Sequence, residues 1–283
     1  MKKAVCVTSG GMDSITNSLM MLKKGYEVYL MHFSIGQRSE RGEKASCRFI
    51  ASKLQEEGYP IKLEIVKTPV FGEDSCLTNE NIPVPEGMDS LRKSATTIDE
   101  IWTPARNVVF LALAASYAEH IEAEYITLGT NASEWSYKDN TKEFLDRFSH
   151  MLEYGCNKFI PKVISPENEM DKPEILKWGH DNGFGWIYNY TWSCDLAPID
   201  IEDNPVDFRT LMATEGKCGC CCNRRLAHLI VKEKYGIEDG QKYGDPLYFK
   251  QRFIPEALHE LKGKLADKLW YRNYEELIRN AIG

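Results

Sequence analysis

The stretch Ser9-Gly10-Gly11-Met12-Asp13-Ser14 places two adjacent glycines, two hydroxyls and a carboxylate within six residues, a combination suited to handling a polyphosphate. Paired glycines let the backbone approach an anion closely, and a helix starting directly afterwards offers N–H groups and the positive end of its dipole. There is no Gly-Lys-Ser/Thr ending, so this is not the loop in which a lysine reaches the outer phosphates. A tight turn is the plain alternative. A second concentration of chemistry comes late in the chain: Cys194, then, 24 positions on, Cys218-Gly219-Cys220-Cys221-Cys222 followed by Asn223-Arg224-Arg225. Four thiolates converging from two segments are the arrangement of a closed tetrahedral zinc site, contributing on the order of 10 kcal/mol to folding; an iron–sulfur cluster is the rival. The middle ligand is Cys221 if C-x-x-C spacing from Cys218 is kept, or Cys220 if it is not. Free core thiols are the plain alternative, and Cys6, Cys47, Cys76 and Cys156 are read that way.

These groups need elements to position them. Ala4–Val7 reads as a strand leading into the loop, and a helical pattern with Leu19, Met20 and Leu22 follows. Residues Glu27–Phe33 form a second apolar run, Ser39 opens a helix to about Gln55, and Ile61–Ile65 alternates as a third strand. Repeated β-α-β spacing implies an α/β fold with a doubly wound parallel sheet, whose ligands sit at the carboxyl ends of the strands. That places Phe33, Ser34, Gln37 and Arg38 beside the loop, in the neighbourhood of an adenosine; for Gln37 and Arg38 a solvated turn is the alternative. Residues 67–103 carry Pro69, Gly72, Pro83, Pro85 and Gly87 without a sustained period and make a candidate lid. Arg106 and Asn107 open an apolar run, Val108–Ala115, expected to be a helix buried all round, with Arg106 at its first turn able to face an anion. Tyr125–Leu128 is a further strand, ending in Gly129-Thr130-Asn131, another ligand-facing loop. Past residue 235, the spacing of Leu258, Leu261, Leu265, Leu269, Tyr274, Leu277 and Ile278 predicts two amphipathic helices that cap the domain or make a dimer or partner surface.

Composition narrows the classes. A chain of 283 residues accommodates one large α/β domain with an appendage, here residues 1–190 as the nucleotide-binding unit with its lid and 191–283 as a Cys-rich metal site and helical extension packed on it. A net charge of −7 argues against a broad nucleic-acid surface and favours a small-molecule or protein substrate. No apolar run approaches the roughly 18 residues needed to cross a bilayer, and the N-terminus lacks the long apolar stretch of a signal peptide. A cytoplasmic protein with reduced thiols is expected.

The pattern SGGxDS resembles the pyrophosphate (PP) loop of enzymes that split ATP into AMP and pyrophosphate. With it, in collinear order, come Gly36-Gln37-Arg38, Ser75-Cys76-Leu77-Thr78, Ile82-Pro83-Val84-Pro85-Glu86-Gly87, Pro104-Ala105-Arg106-Asn107, Gly129-Thr130-Asn131-Ala132, Lys172-Pro173-Glu174-Ile175 and Thr191-Trp192-Ser193-Cys194. Together, over roughly residues 2–230, these resemble the 7-cyano-7-deazaguanine synthase family. The resemblance implies adenylation of the carboxylate of 7-carboxy-7-deazaguanine, attack by ammonia to give an amide, and activation and dehydration of that amide to the nitrile. It assigns ATP to Thr8, Ser9, Gly10, Gly11, Met12, Asp13, Ser14, Ile15 and Thr16, together with Phe33, Ser34, Gln37, Arg38 and Gly129. Asp13 would handle magnesium and pyrophosphate, and Lys172 would be the cation near the phosphates, where stabilisation of developing charge is a large effect. A solvated first-turn lysine is the alternative for Lys172. Asp13, Ser14, Lys172 and Arg106 are the implied catalytic group. Arg106, Asn107, Asn131, Tyr137 and Asp139 are the implied deazapurine contacts, and Cys194, Cys218, Cys221 and Cys222 the implied zinc ligands, from a family pattern C…C-G-x-C-x-x-C.

The chain departs from the family in three places. Trp135-Ser136-Tyr137-Lys138-Asp139-Asn140-Thr141 stands where the family carries a tyrosine, proline, aspartate, cysteine, arginine run; Ser34-Ile35 replaces an aspartate and an aromatic; and residues 195–217 form a longer, acidic link. These departures carry an alternative in which the activated deazaguanine passes to a protein amine, as in relatives associated with antiphage operons. A nucleotide-sensing module without chemistry is a third reading, opposed by Asp13 and Lys172 occurring together. The expected cofactors are ATP, Mg2+ and Zn2+, and the expected assembly is a homodimer.

Overall fold

Five strands, all parallel, make the centre of the molecule in the order β3-β2-β1-β4-β5, where β1 is Lys3–Val7, β2 Glu27–Ser34, β3 Ile61–Lys67, β4 Tyr125–Thr127 and β5 Lys162–Ile164. This is a computed structural model, and it describes residues 1–68, 72, 74–96, 101–132, 137–198, 214–241 and 243–281. Pro69, Trp135, Ser136 and residues 199–213 of the acidic link lie outside the described residues.

Each central strand is buried on both faces, which explains the continuous apolar runs. Ala4, Cys6, Val28 and Leu30 pack on one side with Ile15, Leu19, Ile50 and Leu54 of helices α1 (Met12–Lys23) and α2 (Glu40–Glu56). Val5, Val7, Tyr29 and Met31 pack on the other with Leu111, Ala114 and Phe148 of α4 (Arg106–Ile121) and α5 (Lys142–Gly155). The chain leaves β1 toward β2 and β3 on one flank and adds β4 and β5 on the other. The strand order therefore reverses between β1 and β4, where a ligand crevice opens at their carboxyl ends.

Three expectations are corrected. Helix α4 is not buried all round: Leu111, Ala114, Ala115 and Ala118 face the sheet, whereas Val108 and Leu113 are 43% and 39% exposed, because a helix outside a sheet has only one covered face. Within residues 67–103 lies helix α3 (Gly87–Thr96), whose apolar positions Met88, Leu91 and Ala95 make only a short stripe; its Met88 is buried. The C-terminal region is not two continuous helices. A turn at Pro246–Tyr248 and a π-turn at Phe249–Phe253 run into α8 (Ile254–Glu260), the chain breaks at Gly263, and 3-10 turns at Ala266–Lys268 and Trp270–Tyr274 precede α9 (Glu275–Asn280). These pieces close on Leu226 and Ile230 of α7 (Gly219–Tyr235) and on Met88, so the extension caps the molecule itself. Among the described residues no helix is long and apolar enough to cross a membrane.

Candidate active site and thiol cluster

The loop after β1 is held open by its own hydroxyls. Thr8 Oγ1 lies 3.1 Å from Ser14 Oγ and accepts from Gly10 N–H at 3.0 Å, while Ser9 N–H donates to Ser14 Oγ at 3.3 Å. Gly11 caps α1 without any side-chain bond, which leaves the helix start to an anion. Two glycines are required by geometry. Gly10 has φ +73° and its carbonyl accepts from Ser46 Oγ and Trp192 N–H, both at 2.8 Å; a Cβ there would meet the Glu43 carbonyl at 2.8 Å. At Gly129 a Cβ would lie 2.9 Å from Ser14 N, so only glycine lets the loop after β4 close on the phosphate loop.

Across the crevice, Lys172 Nζ donates to Asp13 Oδ2 at 2.8 Å, with side-chain exposures of 8% and 19%. Lys172 is the first residue of α6 (Lys172–Asp181), and its direction is set by a capping box: Glu174 N–H donates to Asp171 Oδ1 at 3.0 Å and Asp171 N–H to Glu174 Oε2 at 2.9 Å. The alternative of a solvated lysine is therefore set aside. Asp13, Lys172, Ser14, Thr8, Ser9, Gly11, Met12 and Gly129 line one cavity of about 270 Å3, together with Phe33, Gln37, Arg106 and Asn107. Phe33 stacks on Phe110 at 4.3 Å, giving that cavity a flat apolar wall. Gln37 is locked, accepting from Ile35 N–H at 2.9 Å and donating to Glu43 Oε2 at 2.7 Å.

The first cavity opens into a second of about 1040 Å3. Tyr137 and Asp139 line the second, where Trp102 and Tyr137 stack with ring centroids 5.6 Å apart. Burial pushes the Asp139 carboxyl above its ordinary range, against the pull of Arg106. Arg106 and Asn107 line both cavities, and Asn107 Nδ2 donates to Asn140 Oδ1 at 3.3 Å.

Other expected contacts are placed elsewhere. Ile15 belongs to the core, and Thr16 bonds the Met12 carbonyl at 2.8 Å and the Tyr188 hydroxyl at 3.0 Å from a fully buried position. Ser34 is buried at the end of β2, where its carbonyl accepts from Thr68 N–H. Arg38 ties down the lid instead of lining the cavity: its N–H donates to the Leu77 carbonyl at 2.8 Å and its guanidinium to the Ile82 carbonyl at 3.2 Å. Asn131 is fully buried behind the loop after β4 and lines neither cavity. Sequence reasoning missed several wall residues. His32 could have been found one place before Phe33; its Nδ1 sits 3.1 Å from the Thr8 carbonyl, so that nitrogen carries the proton, and burial lowers its pKa and keeps the ring neutral. Trp192, Asn140, Asp195, Cys220, Asn223 and Arg224 also line the first cavity, and no local pattern marks them as a group.

The sulfurs of Cys194, which lines the first cavity, Cys218 and Cys221 lie within 4.8 Å of one another, all buried. Cys194 and Cys218 are 3.9 Å apart, close to the roughly 3.8 Å between thiolates that each bind a tetrahedral zinc at about 2.3 Å. These three residues fit a metal. Of the two alternatives for the middle position, Cys221 converges with Cys194 and Cys218, whereas Cys220 is exposed. The fourth expected ligand, Cys222, does not converge. One residue past Cys221 on α7, it is turned about 100° around the helix, and its thiol faces the carbonyls of Gly216 and Lys217 at 3.8 and 3.6 Å. The C-G-x-C-x-x-C spacing instead falls on Arg224. That buried guanidinium donates to Thr191 Oγ1 at 2.7 Å and the Tyr188 carbonyl at 2.6 Å, stitching α7 to the segment that carries Cys194.

The family model for queuosine biosynthesis protein QueC matches residues 3–231. A 7-cyano-7-deazaguanine synthase of Methanococcus maripaludis strain S2 is 34% identical over 247 residues, covering 85% of this chain and 98% of that protein. The protein of the same name from Methanocaldococcus jannaschii is 36% identical over 247 residues, covering 85% and 99%. Among solved structures, the U34-tRNA thiolase NcsA from Methanococcus maripaludis with its [4Fe-4S] cluster has a TM-score of 0.39 at 19% identity, covering 65% of this chain and 58% of that one. The relatives' shared name agrees with the nitrile-forming expectation, and neither the protein-conjugating nor the sensor reading is favoured. With the collinear motifs, the parallel sheet and the phosphate loop at its switch point, this chain belongs to the QueC family.

Proposed function

We propose that the protein uses ATP and ammonia to convert 7-carboxy-7-deazaguanine into 7-cyano-7-deazaguanine. The observation that carries this reading is the Asp13–Lys172 pair at the mouth of a nucleotide-sized cavity that opens into a larger, aromatic-walled one. ATP would lie on Thr8–Ser14, with its purine toward Phe33 and its α-phosphate between the loop and Arg106. The deazapurine would lie in the second cavity, against the stacked Trp102–Tyr137 pair, with Asp139 accepting from its amine edge. A substrate carboxylate oxygen then attacks the α-phosphorus as pyrophosphate leaves along Lys172. Fixed cations aimed at that charge are the main source of acceleration in such a transfer. Magnesium, held at Asp13, would neutralise phosphate charge. Ammonia would displace AMP to give the amide, and a second ATP would activate its oxygen for loss as the nitrile forms.

Cys194, Cys218 and Cys221 are proposed to hold zinc, which would tie the segment after Trp192 to α7; an iron–sulfur cluster is distinguished by its visible absorbance and by metal analysis. A homodimer is proposed as well, with the exposed Val108 and Leu113 of α4 available to it, and light scattering tests it. The function is tested by mass spectrometry of small molecules and intact protein after incubation with magnesium ATP and 7-carboxy-7-deazaguanine, with and without ammonium. The expected result is AMP together with an ammonium-dependent nitrile. A product that stops at the adenylate, or ends covalently on the protein, would overturn it.

A further inference from the structure

The large cavity is walled on one side by the C-terminal extension, beyond the residues matched by the family model. Leu269, Trp270, Tyr271 and Tyr274 line it from a pair of 3-10 turns. This arch is anchored at two points: Tyr271 is fully buried against the Ala257 carbonyl, and Tyr274 OH donates to Asp171 Oδ2 at 2.7 Å. Trp270 is held edge-on between them, at 5.7 Å from the Tyr271 ring and 6.3 Å from the Tyr274 ring. From there its Nε1–H donates to Asn223 Oδ1 at 3.2 Å. Asn223 stands where the two cavities join, in the company of Arg106, Asn107, Asn140, Asp195 and Cys220.

That single bond decides the chemistry of the asparagine. An indole N–H can only donate, so the Asn223 atom that meets it must be the carbonyl oxygen, whichever way the amide would otherwise turn. With Oδ1 committed, what Asn223 has left for the junction is Nδ2 and its two N–H donors. An unbiased amide could turn either end to the junction; the Trp270 bond fixes Oδ1 on the indole side and leaves Nδ2 on the other. Together with the Arg106 guanidinium, the junction then offers donors from two sides.

We propose that Asn223 Nδ2 donates to an acyl oxygen of the substrate, and that Trp270 is the positioning residue that holds it in the donating orientation. This rests on the reading of the two cavities given above, which puts the carboxyl-bearing carbon of the deazapurine at the junction. The oxygen that does not attack phosphorus needs a donor that stays put, and a preorganised neutral amide supplies one without moving during the reaction. The C-terminal extension is thereby part of the substrate site and not only a cap.

The test is calorimetric binding of 7-carboxy-7-deazaguanine in the presence of AMP to the full-length protein, to Asn223→Ala, to Trp270→Phe and to the double variant. Losing one such hydrogen bond is expected to weaken binding about ten-fold in Asn223→Ala, and somewhat less in Trp270→Phe, which keeps an aromatic ring but removes the donor. The double variant should bind no more weakly than Asn223→Ala alone, because Trp270 acts through Asn223. AMP affinity should not change. Unaltered base affinity in Asn223→Ala, or independent losses that multiply in the double variant, overturns the proposal while leaving the function standing. A wild-type protein that does not bind the base at all overturns the function, and this inference with it.

Discussion

The phosphate loop and Cys194 of the thiol cluster line one cavity, yet loop and cluster are specified in different ways. The loop is largely local. Thr8, Ser9, Gly10 and Ser14 bond one another within seven residues, and among the outside demands are that Gly10 pass under α2 and Gly129 come down on Ser14. The cluster depends on helix phase and on distance in the chain: Cys194 arrives from a segment 24 residues before Cys218, and which thiols converge on it is decided by rotation around α7. A short motif can therefore be read from its composition in the first case and misread by one residue in the second.

The largest effect should come from the cluster. Cys218→Ser is expected to lose metal and become insoluble or melt far lower, since a structural metal contributes on the order of 10 kcal/mol. Cys222→Ser should keep full metal content. Metal analysis of the two purified variants checks this, and loss of metal from both would restore Cys222 as a ligand. In the phosphate loop, Asp13→Asn should lower AMP formation by about a thousand-fold while leaving the circular dichroism spectrum intact, because it removes charge and not packing. An active Asp13→Asn variant would break the reading of the loop.

Smaller effects sharpen the contrast. Burial in the first place, with Asp239 opposing and Arg224 adding, holds His228 of α7 down at about 4, against an ordinary value of 6.5. The unfolded chain then binds a proton that the folded one refuses. The stabilisation from a neutral His228 is full above about pH 6.5 and is lost as the pH falls toward about 4, an effect on the order of 3 kcal/mol. Denaturant titrations at several pH values should give His228→Asn a flatter profile than the wild type; an equal slope would mean that other groups carry it, His32 among them, which burial shifts the same way. Last, Gly129→Ala would push a methyl group against the Ser14 backbone, and is expected to raise the KM for ATP about ten-fold with a small change in Tm. An unchanged KM would mean the two loops can part without cost.

Much of the nucleotide half was legible because its signals are periodic or local. The apolar runs of β1, β2 and β3 and the glycine pair need no distant partner to be recognised. Helix α3 was not, since its apolar stripe, Met88, Leu91 and Ala95, is only two turns long, and its place is secured by Met88 packing on a region more than a hundred residues away. The all-round burial expected of α4 failed because apolar composition does not say how many neighbours a helix has. Arg38 and Asn131 were chosen by their nearness to strand ends, but a side chain at a strand end can turn to a lid or into the core as readily as to a ligand.

The order of residue types along the chain was enough to determine a parallel α/β sheet, a phosphate loop at its first strand end, and a thiol-rich segment near residue 220, because hydrophobic period and backbone permissiveness are properties of neighbours in sequence. Tertiary structure alone decided that Lys172 meets Asp13 across 159 positions, that Cys222 turns away from the other three thiols, and that Trp270 reaches Asn223. Those are meetings of side chains from different elements, and they follow from how helices rotate and pack, which no local pattern encodes.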